Sequence, residues 1–332
     1  MPETGRRPTI KDVARAAGVS LQTVSRAING KAEIDPSTRQ RVLDIVQQMG
    51  YRRSRHARGL AAPGVDTLGL IVPDLINPFF PSLIQGVIDA ASAQGWRVVV
   101  STSDGDPEGE QRLIRSMSEQ VDSLVGYFDH SRAPTPPLPP DLRLVLLDPE
   151  KAVPGAGSVR IDVPGGVDAA VAHLAERGYR RPGMIDCTTT CDRFLRGRSF
   201  LASAAARGLD MGRDRIELAE QSIAGGETAI HALLERHPEV DAVFAFNDLV
   251  AVGALRGLAA RGLRVPQDCA VIGFDGSVLG GLVTPTLTSV HVDTHRLGLL
   301  AVDEVRRLID DQSSSDTDPV TLDCELLVRD ST

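Results

Sequence analysis

The feature that most constrains the fold is a series of short apolar segments that alternate with amphipathic helical segments from residue 68 onward. The apolar segments lack polar alternation, so both faces of each are predicted to be buried, as in a parallel sheet covered by helices. The first series contains LGLIV, RVVVS, DSLVGYF and RLVLLD, with helices predicted over 83–93 and 110–118. A second series begins near Pro164 and contains PGMID, RIELA, DAVFAFN and CAVIGFD. The sequence therefore predicts two consecutive doubly wound units, which bind ligands at the carboxyl ends of their strands and between the units.

A different pattern, over residues 9–29, predicts two short helices joined by a tight turn (TIKDVARAAGVSLQTVSRAIN). The first helix carries apolar residues at the i, i+3, i+4 and i+7 positions of one face, namely Ile10, Val13, Ala14 and Ala17. Thr9, with Asp12 three residues later, resembles a capping box. Gly18 can adopt the positive φ that the turn requires, and Ser20 is a suitable N-cap for the second helix. These features predict a helix-turn-helix.

The second helix is predicted to have an inward apolar face and an outward polar face. The inward residues are Val24, Ala27 and Ile28, and the outward residues are Gln22, Ser25, Arg26 and Asn29. Amide, hydroxyl and guanidinium groups match the donors and acceptors that base pairs present in the major groove of DNA. Leu21 fits either a core position or a contact with a thymine methyl group, and both remain open. Asp35 and Pro36 then predict the start of a third helix, which would close a three-helix core.

The distribution of charge separates these two regions. Residues 1–62 hold 12 Lys and Arg against 5 Asp and Glu, whereas residues 63–332 hold 24 against 39. A basic region attached to an acidic body is typical of a nucleic-acid-binding module joined to a domain with another function. No apolar run is long enough to span a membrane, and the N-terminus lacks the apolar segment of a secretory signal. We therefore expect a cytoplasmic protein without membrane contact.

Residues 51–64, YRRSRHARGLAAPG, are predicted to connect the two regions. Repulsion between the neighbouring cations disfavours an isolated helix, but binding to phosphates would remove that repulsion. A solvated linker and a segment that becomes helical on DNA are both compatible with this composition.

The cysteines point to no special chemistry. They have neither a CxxC pair nor a histidine at zinc spacing, and they are Cys187, Cys191, Cys269 and Cys324. Small buried side chains in a reducing cytosol are therefore favoured over a metal or redox site. Neither a metal nor a cofactor is expected.

Six segments, in order and over more than 300 residues, resemble the lac repressor (LacI/GalR) family of bacterial transcriptional regulators. They are TIKDVARAAGVSLQTVSRAING, HARGL, LGLIVPDLINPFF, HLAERGYRR, AFNDLVAVGALRGLAARGLRVPQDCAVIGFD and TPTLTSVHVD. The resemblance implies an α/β fold in which a three-helix head is joined by a hinge to a periplasmic-binding-protein-like core of two parallel-sheet subdomains. It also implies a homodimeric repressor that binds a near-palindromic operator and changes its DNA affinity when a small molecule enters the cleft.

The resemblance also suggests domain boundaries. The head is expected at residues 1–50, the hinge at 51–66 and the core at 67–332. Within the core, the first subdomain is expected at about 67–164 plus 294–318, and the second at about 165–293 plus 319–332. The segment after Tyr51 lacks the proline and asparagine that many relatives carry, and no leucine heptads follow LLVRDST. A dimer is therefore expected rather than a tetramer.

By resemblance, DNA contacts are expected in the head and the hinge. Gln22 and Arg26 would bind adenine and guanine through paired hydrogen bonds, with Leu21 reaching a thymine methyl group and Ser25 beside them. Leu60 matches the leucine that the family inserts into the minor groove, and Arg58 would lie next to it. Phosphate contacts are expected from side chains at helix ends and flanks, namely Thr9, Ser20, Thr23 and Asn29.

By resemblance, the effector site is expected at strand ends of both units. The expected residues are Asn77, Phe79 and Phe80 after the first strand, Asp192, Arg193 and Arg196 in the second unit, and Gln221, Asn247 and Asp275. Gln221 stands where several relatives place an aromatic residue against the ligand ring. A carboxylate, an amide and a guanidinium favour a sugar or a related polyhydroxylated ligand, with a nucleobase or nucleoside as the alternative. From the residues alone, Arg196 could instead form a structural ion pair, and Asp275 could cap the turn after its strand.

Two other classes of protein share this core architecture. A solute-binding protein would carry a signal peptide and no basic head, and this chain shows the reverse. An enzyme on a doubly wound scaffold would usually carry a GxGxxG after a strand, a GxxxxGK[ST] or a GxSxG motif, and none occurs. The sequence therefore predicts a regulator and not an enzyme.

Overall fold

The computed structural model describes residues 10–28, 34–49, 67–103, 107–128, 138–139, 142–149, 151–187, 193–310 and 319–332. The chain divides into two compact units, Met1–Val65 and Asp66–Thr332. We call them the head and the core. The predicted hinge residues, including Arg58 and Leu60, lie outside the described residues, as do Thr9 and Asn29.

The described residues of the head form three helices, α1 (Ile10–Ala17), α2 (Leu21–Ile28) and α3 (Pro36–Gln48). Each contributes a fully buried valine to a common core: Val13, Val24 and Val42. Their boundaries follow from local capping. Gly18 adopts a φ of 65°, the Ser20 hydroxyl accepts a hydrogen bond from the amide of Thr23 at 3.1 Å, and Asp35 accepts one from the amide of Thr38 at 3.0 Å. The predicted helix-turn-helix and its third helix are confirmed.

In the part of the core that the structure describes, two six-stranded sheets are formed, with helices between their strands. The strands are β1 (Thr67–Val72), β2 (Arg97–Thr102), β3 (Ser123–Gly126), β4 (Arg143–Leu147), β5 (Gly157–Ile161), β6 (Pro182–Cys187), β7 (Ile216–Ala219), β8 (Ala242–Ala245), β9 (Ala270–Asp275), β10 (Thr288–His291), β11 (Val320–Leu322) and β12 (Glu325–Leu327). The helices are α4 (Phe79–Ala93), α5 (Pro107–Ser118), α6 (Val163–Glu176), α7 (Arg193–Ala206), α8 (Ile223–Arg236), α9 (Asp248–Ala260) and α10 (Thr294–Asp310). None of the described helices is long and apolar enough to cross a membrane.

The strand orders define two parallel-sheet subdomains. The first sheet has the order β11-β5-β4-β3-β1-β2 and the second has the order β12-β10-β9-β8-β6-β7. Every pair of neighbouring strands is parallel except β10 and β12. The carboxyl ends of the parallel strands therefore lie at one edge of each sheet, where ligands of doubly wound folds bind. The predicted fold class is confirmed.

The structure corrects two expectations about the strands. The segment RVVVS was predicted to be buried on both faces, but β2 is the edge strand of the first sheet and Val99 is 46% exposed. Residues 319–332 were assigned to the second subdomain, but β11 pairs with β5 of the first sheet, and only β12 pairs with β10 of the second. The chain thus passes between the subdomains three times: before α6, before α10 and between β11 and β12.

Helices α4 and α10 pack closely in the first subdomain because glycines face each other across their contact. A methyl group built at Gly86 would press on the backbone carbonyl of His295, and one at Gly298 would press on that of Leu83. Backbone atoms of a packed helix cannot move aside as a flexible side chain can. Gly86 and Gly298 therefore set the distance between these helices.

We expect Gly86→Ala to destabilise the core by roughly 1–3 kcal/mol, the usual cost of overpacking, despite alanine's better helix propensity. Gly281→Ala is the matched control, because nothing lies within 4 Å of the methyl group that it would add. Urea unfolding of both variants measures the difference. Equal stabilities would show that the α4–α10 contact tolerates a side chain at Gly86.

Candidate functional site

One wall of the candidate site is built from the carboxyl ends of β1, β3 and β4 in the first subdomain. Phe79 and Phe80, at the start of α4, and Tyr127, after β3, form a cluster of edge-to-face rings with centroids 5.3 to 6.1 Å apart. Beside it lies Asp148, the residue after β4, whose carboxylate accepts hydrogen bonds from the amide of Ile161 at 3.1 Å and from the Tyr127 hydroxyl at 3.4 Å. This wall therefore presents aromatic edges and one carboxylate.

The opposite wall is built around Arg196 of α7, which is only 4% exposed. Its guanidinium lies between the rings of Phe246 and Phe274, 4.1 Å from each ring centre, and donates a hydrogen bond to the carbonyl oxygen of Phe246. Two aromatic faces and one carbonyl fix the orientation of this cation before any ligand arrives. Phe246 and Phe274 come from the ends of neighbouring strands, so the sheet itself positions Arg196.

Asp275, the last residue of β9, lies close to Arg196. It is 7% exposed, and its φ of 102° is unusual for a residue other than glycine. The two backbone amides that follow it are already satisfied: that of Gly276 by the Ser289 hydroxyl at 3.1 Å and that of Ser277 by Asp248 at 2.6 Å. Asp275 therefore does not cap the turn after its own strand.

Burial raises the pKa of Asp275 well above its usual value; the charge of Arg196 opposes that shift, and Asp248 adds to it. Within the described part of the chain, no group donates a hydrogen bond to the Asp275 carboxylate. Burial likewise raises the pKa of Asp148, and the amide of Ile161 and the charge of Arg196 oppose that rise. The charge of Arg196 therefore favours the ionised form of one carboxylate in each subdomain, Asp148 and Asp275.

A third buried carboxylate, Asp248 at the start of α9, lies near Asp275 and accepts a hydrogen bond from the amide of Ser277, two residues after it. Burial raises the pKa of Asp248, but hydrogen bonds from Ser289 at 2.5 Å and from the amide of Ser277 hold its oxygens. The oxygens of Asp248 therefore have donors within the protein, whereas the Asp275 carboxylate has none among the described residues.

The amide residues of the expected site have structural partners. Asn77 accepts a hydrogen bond from the amide of Phe79 at 3.0 Å and so holds the turn before α4, whose N-cap is Pro78. Asn247 accepts one from the amide of Val250 at 3.0 Å and is the N-cap of α9. The side-chain nitrogen of Asn247 donates a hydrogen bond to the side-chain oxygen of Gln221 at 3.4 Å. Asp192 lies outside the described residues, and the side chain of Arg193 is not described.

Four residues of the site were not predicted from the sequence, namely Tyr127, Asp148, Phe246 and Phe274. A signal for Asp148 was present, because RLVLLD ends a buried strand on an aspartate as CAVIGFD does. The two phenylalanines carried no such signal, since their contact with Arg196 depends on how the strands are ordered.

In the head, α2 presents the expected outward face. Gln22 and Arg26 are exposed, and Leu21 is 43% exposed, which is more than a core position allows. Ser25 is half-buried beside them. The hydroxyls of Ser20 and Thr23 lie 2.8 Å apart at the start of the helix.

Comparison with known proteins gives consistent matches for both units. The family described as bacterial regulatory proteins, lacI family, matches residues 9–54, and the periplasmic binding protein-like domain matches residues 171–332. The regulator CelR of Thermobifida fusca is 33% identical and is aligned over 99% of both chains. The structure of a CelR–cellobiose complex is 29% identical with a TM-score of 0.71, over 98% of this chain and 100% of that one. A regulator from Arthrobacter sp. FB24 in complex with lactose is 31% identical with a TM-score of 0.70, over 80% of this chain and 99% of that one.

Proposed function

Because this chain belongs to the LacI family of bacterial transcriptional regulators, we propose that its effector is a sugar or a related polyhydroxylated molecule bound between the core subdomains. The protein is a DNA-binding regulator and not an enzyme, and it acts on operator DNA as a homodimer. The observation that carries the proposal is the buried Asp275 carboxylate, which has no donor among the described residues although it adjoins a fixed arginine. Ligand hydroxyls would supply the missing donors.

The other strand-end groups support the same ligand class. Arg196 would donate to ligand oxygens from its fixed position, and the Asn247–Gln221 pair would offer an amide donor and acceptor. Phe79, Phe80 and Asn77 would form the opposite side. Asp192 and Arg193 are proposed as further ligand contacts. Two similar structures were solved with cellobiose and with lactose, which are both uncharged disaccharides. A nucleobase or nucleoside is the alternative.

In the head, we propose that Gln22 and Arg26 recognise bases in the major groove and that Leu21 contacts a thymine methyl group. Ser25 would lie within the same contact, and the hydroxyls of Ser20 and Thr23 would bind phosphates together with Thr9 and Asn29. Arg58 and Leu60 would contact the minor groove. We propose that the protein acts on DNA in the cytoplasm.

The effector would control DNA binding if it binds one relative orientation of the two subdomains more tightly than the other. An effector that contacts both subdomains favours one of their relative orientations and shifts the population of the dimer. A change in the relative orientation of the subdomains would be transmitted to the heads through the hinge and so alter their affinity for the operator.

Calorimetry on the full-length protein tests the proposal with cellobiose, lactose, ribose and hypoxanthine. Binding of at least one sugar, lost in Asp275→Asn, is expected. Binding of hypoxanthine alone would replace the sugar class by a nucleobase, and equal sugar affinity in Asp275→Asn would remove Asp275 from the site.

Effector affinity is expected to fall as the pH falls. Asp148 and Asp275 accept hydroxyl hydrogen bonds best when ionised, and burial raises the pKa of each in the unliganded core. Affinity should therefore be greatest above those raised pKa values and decrease as each carboxyl takes up a proton. Calorimetric titrations from pH 8 to pH 5 measure the effect, and proton release on binding should accompany it. A flat profile would mean that neither carboxylate contacts the ligand.

A further inference from the structure

The turn that follows β9 has an unusual backbone. Asp275 adopts a φ of 102° and Gly276 a φ of 64°, so two consecutive residues lie in the region that favours glycine. Such a conformation costs free energy in a residue other than glycine, and it persists where the surrounding structure enforces it. Groups outside the turn must therefore stabilise the backbone at Asp275.

Two side chains from other elements bind this turn. The amide of Gly276 donates a hydrogen bond to the Ser289 hydroxyl at 3.1 Å, and the amide of Ser277 donates one to Asp248 at 2.6 Å. The Ser289 hydroxyl donates in turn to the other carboxylate oxygen of Asp248 at 2.5 Å. Both amides are therefore held by one carboxylate, one of them directly and the other through a hydroxyl.

This hydrogen-bond network lies in the interior of the second subdomain. Asp248, on α9, is 1% exposed, and Ser289, on β10, is fully buried. Gly273 of β9 is paired with Ser289 and leaves space for the network, because a methyl group built at Gly273 would press on a carboxylate oxygen of Asp248. Burial raises the pKa of Asp248, and the hydrogen bonds from Ser289 and Ser277 oppose that rise. Buried polar networks whose bonds are formed in this way make the backbone around them rigid.

The same carboxylate connects two parts of the proposed effector site. Asn247, whose side chain donates to Gln221, directly precedes Asp248 in the chain. We propose that Asp248 and Ser289 are positioning residues, which hold Asp275 in its strained conformation and so fix the direction of its carboxylate for the effector. This inference rests on the proposed function, because the result of the positioning is measured in effector binding.

Ser289→Ala tests the role of Ser289, because it removes the hydroxyl that connects Gly276 to Asp248. Calorimetry of the full-length protein with cellobiose, lactose and ribose should give about tenfold lower affinity than wild type for each sugar that binds, since a carboxylate that is no longer held in place forms poorer hydrogen bonds. Ser203→Ala is the matched control. Ser203 is also a buried serine that donates to an aspartate of the second subdomain, Asp168, and its loss should leave the affinity unchanged.

Hydrogen exchange of the unliganded protein separates positioning from a general loss of stability. In Ser289→Ala, amide exchange should become at least about tenfold faster over residues 275–278 and stay unchanged in the first subdomain. A merely structural role would accelerate exchange throughout the core and leave the sugar affinity of the folded protein as it was. That pattern would overturn the positioning role of Ser289.

Two variants of Asp248 test the carboxylate itself. Asp248→Ala removes the acceptor for both bonds, whereas Asp248→Asn keeps an oxygen for the amide of Ser277. Asp248→Asn should therefore retain part of the sugar affinity that Asp248→Ala loses, and equal affinities in the two variants would overturn the role given to Asp248.

The wild-type protein distinguishes failure of the positioning from failure of the proposed function. If the wild type binds a sugar and Ser289→Ala binds it equally well, the positioning is overturned and the proposed effector site stands. If the wild type binds none of the three sugars, the proposed sugar effector is overturned, and the positioning with it.

Discussion

Asp275→Asn is expected to abolish the response to effector while raising the melting temperature of the unliganded core. Loss of a charge-assisted hydrogen bond costs about 1.5–3 kcal/mol, so effector affinity should fall roughly 10- to 150-fold for each bond lost. Asparagine keeps the size of the side chain and tolerates the positive φ observed at this position. The defect should therefore appear in ligand binding and not in folding.

The gain in stability follows from the raised pKa of Asp275 in the folded core. An acid whose pKa is raised on folding destabilises the folded state at neutral pH. That cost disappears as the pH falls through the folded pKa towards the unfolded value. Each pH unit by which the folded-state pKa exceeds the unfolded value costs about 1.4 kcal/mol above the folded pKa. We therefore expect the neutral amide to raise the melting temperature of the unliganded core at neutral pH. Wild-type stability should approach that of the variant as the pH is lowered.

Asp268→Asn is the control, because folding lowers the pKa of Asp268 whereas it raises the pKa of Asp275. Hydrogen bonds from Arg264 lower the pKa of Asp268 to about 2, so its carboxylate stabilises the folded core above the unfolded pKa, and that stability is lost as the pH falls. This variant should show no rise in melting temperature and an unchanged effector affinity. If Asp275→Asn behaves in the same way as Asp268→Asn, Asp275 is not part of a ligand site.

Arg26→Ala and Gln22→Ala are each expected to cost roughly 1–3 kcal/mol of binding to the cognate operator, or about 5- to 150-fold in affinity. Both side chains are exposed on α2, and each can form paired hydrogen bonds with one base. Because random DNA offers few correctly placed partners, binding to random duplexes should fall much less. Selection of duplexes from a random pool supplies the operator, and competition binding measures both affinities.

Ser20→Ala separates base recognition from the stability of the head. It removes the N-cap of α2, which costs typically about 1 kcal/mol, and weakens binding to every duplex alike. Equal losses on operator and random DNA in Arg26→Ala would show that Arg26 contributes charge or stability and not base recognition.

The elements that were predicted correctly depend on contacts between near neighbours in the chain. Gly18, Ser20 and Asp35 act on residues within a single turn, so their roles in the head could be inferred from spacing alone. The alternation of apolar strands with helices predicted both sheets for a similar reason. A strand that is buried on both faces has mostly apolar residues, so its own composition predicts its burial.

The expectations that failed depend on which strands become neighbours. RVVVS has the composition of a buried strand, but its place at the edge of the sheet is set by strand order. The assignment of 319–332 failed because β11 is only three residues long and its partner, β5, lies far away in sequence. Asp148 and Asp275 have similar sequence contexts, yet only the fold brings both of them within the electrostatic influence of Arg196.

The measurement that tests the account most directly is the affinity of the full-length protein for its selected operator, with and without a sugar that the core is known to bind from calorimetry. Effector binding in one cleft and DNA binding by the head should be coupled by about 1–3 kcal/mol, so the operator Kd should change by roughly 5- to 150-fold. The change should be absent in Asp275→Asn at the same sugar concentration. An operator Kd that stays the same while calorimetry shows the sugar bound would contradict the account, because the cleft would then bind a ligand without controlling DNA.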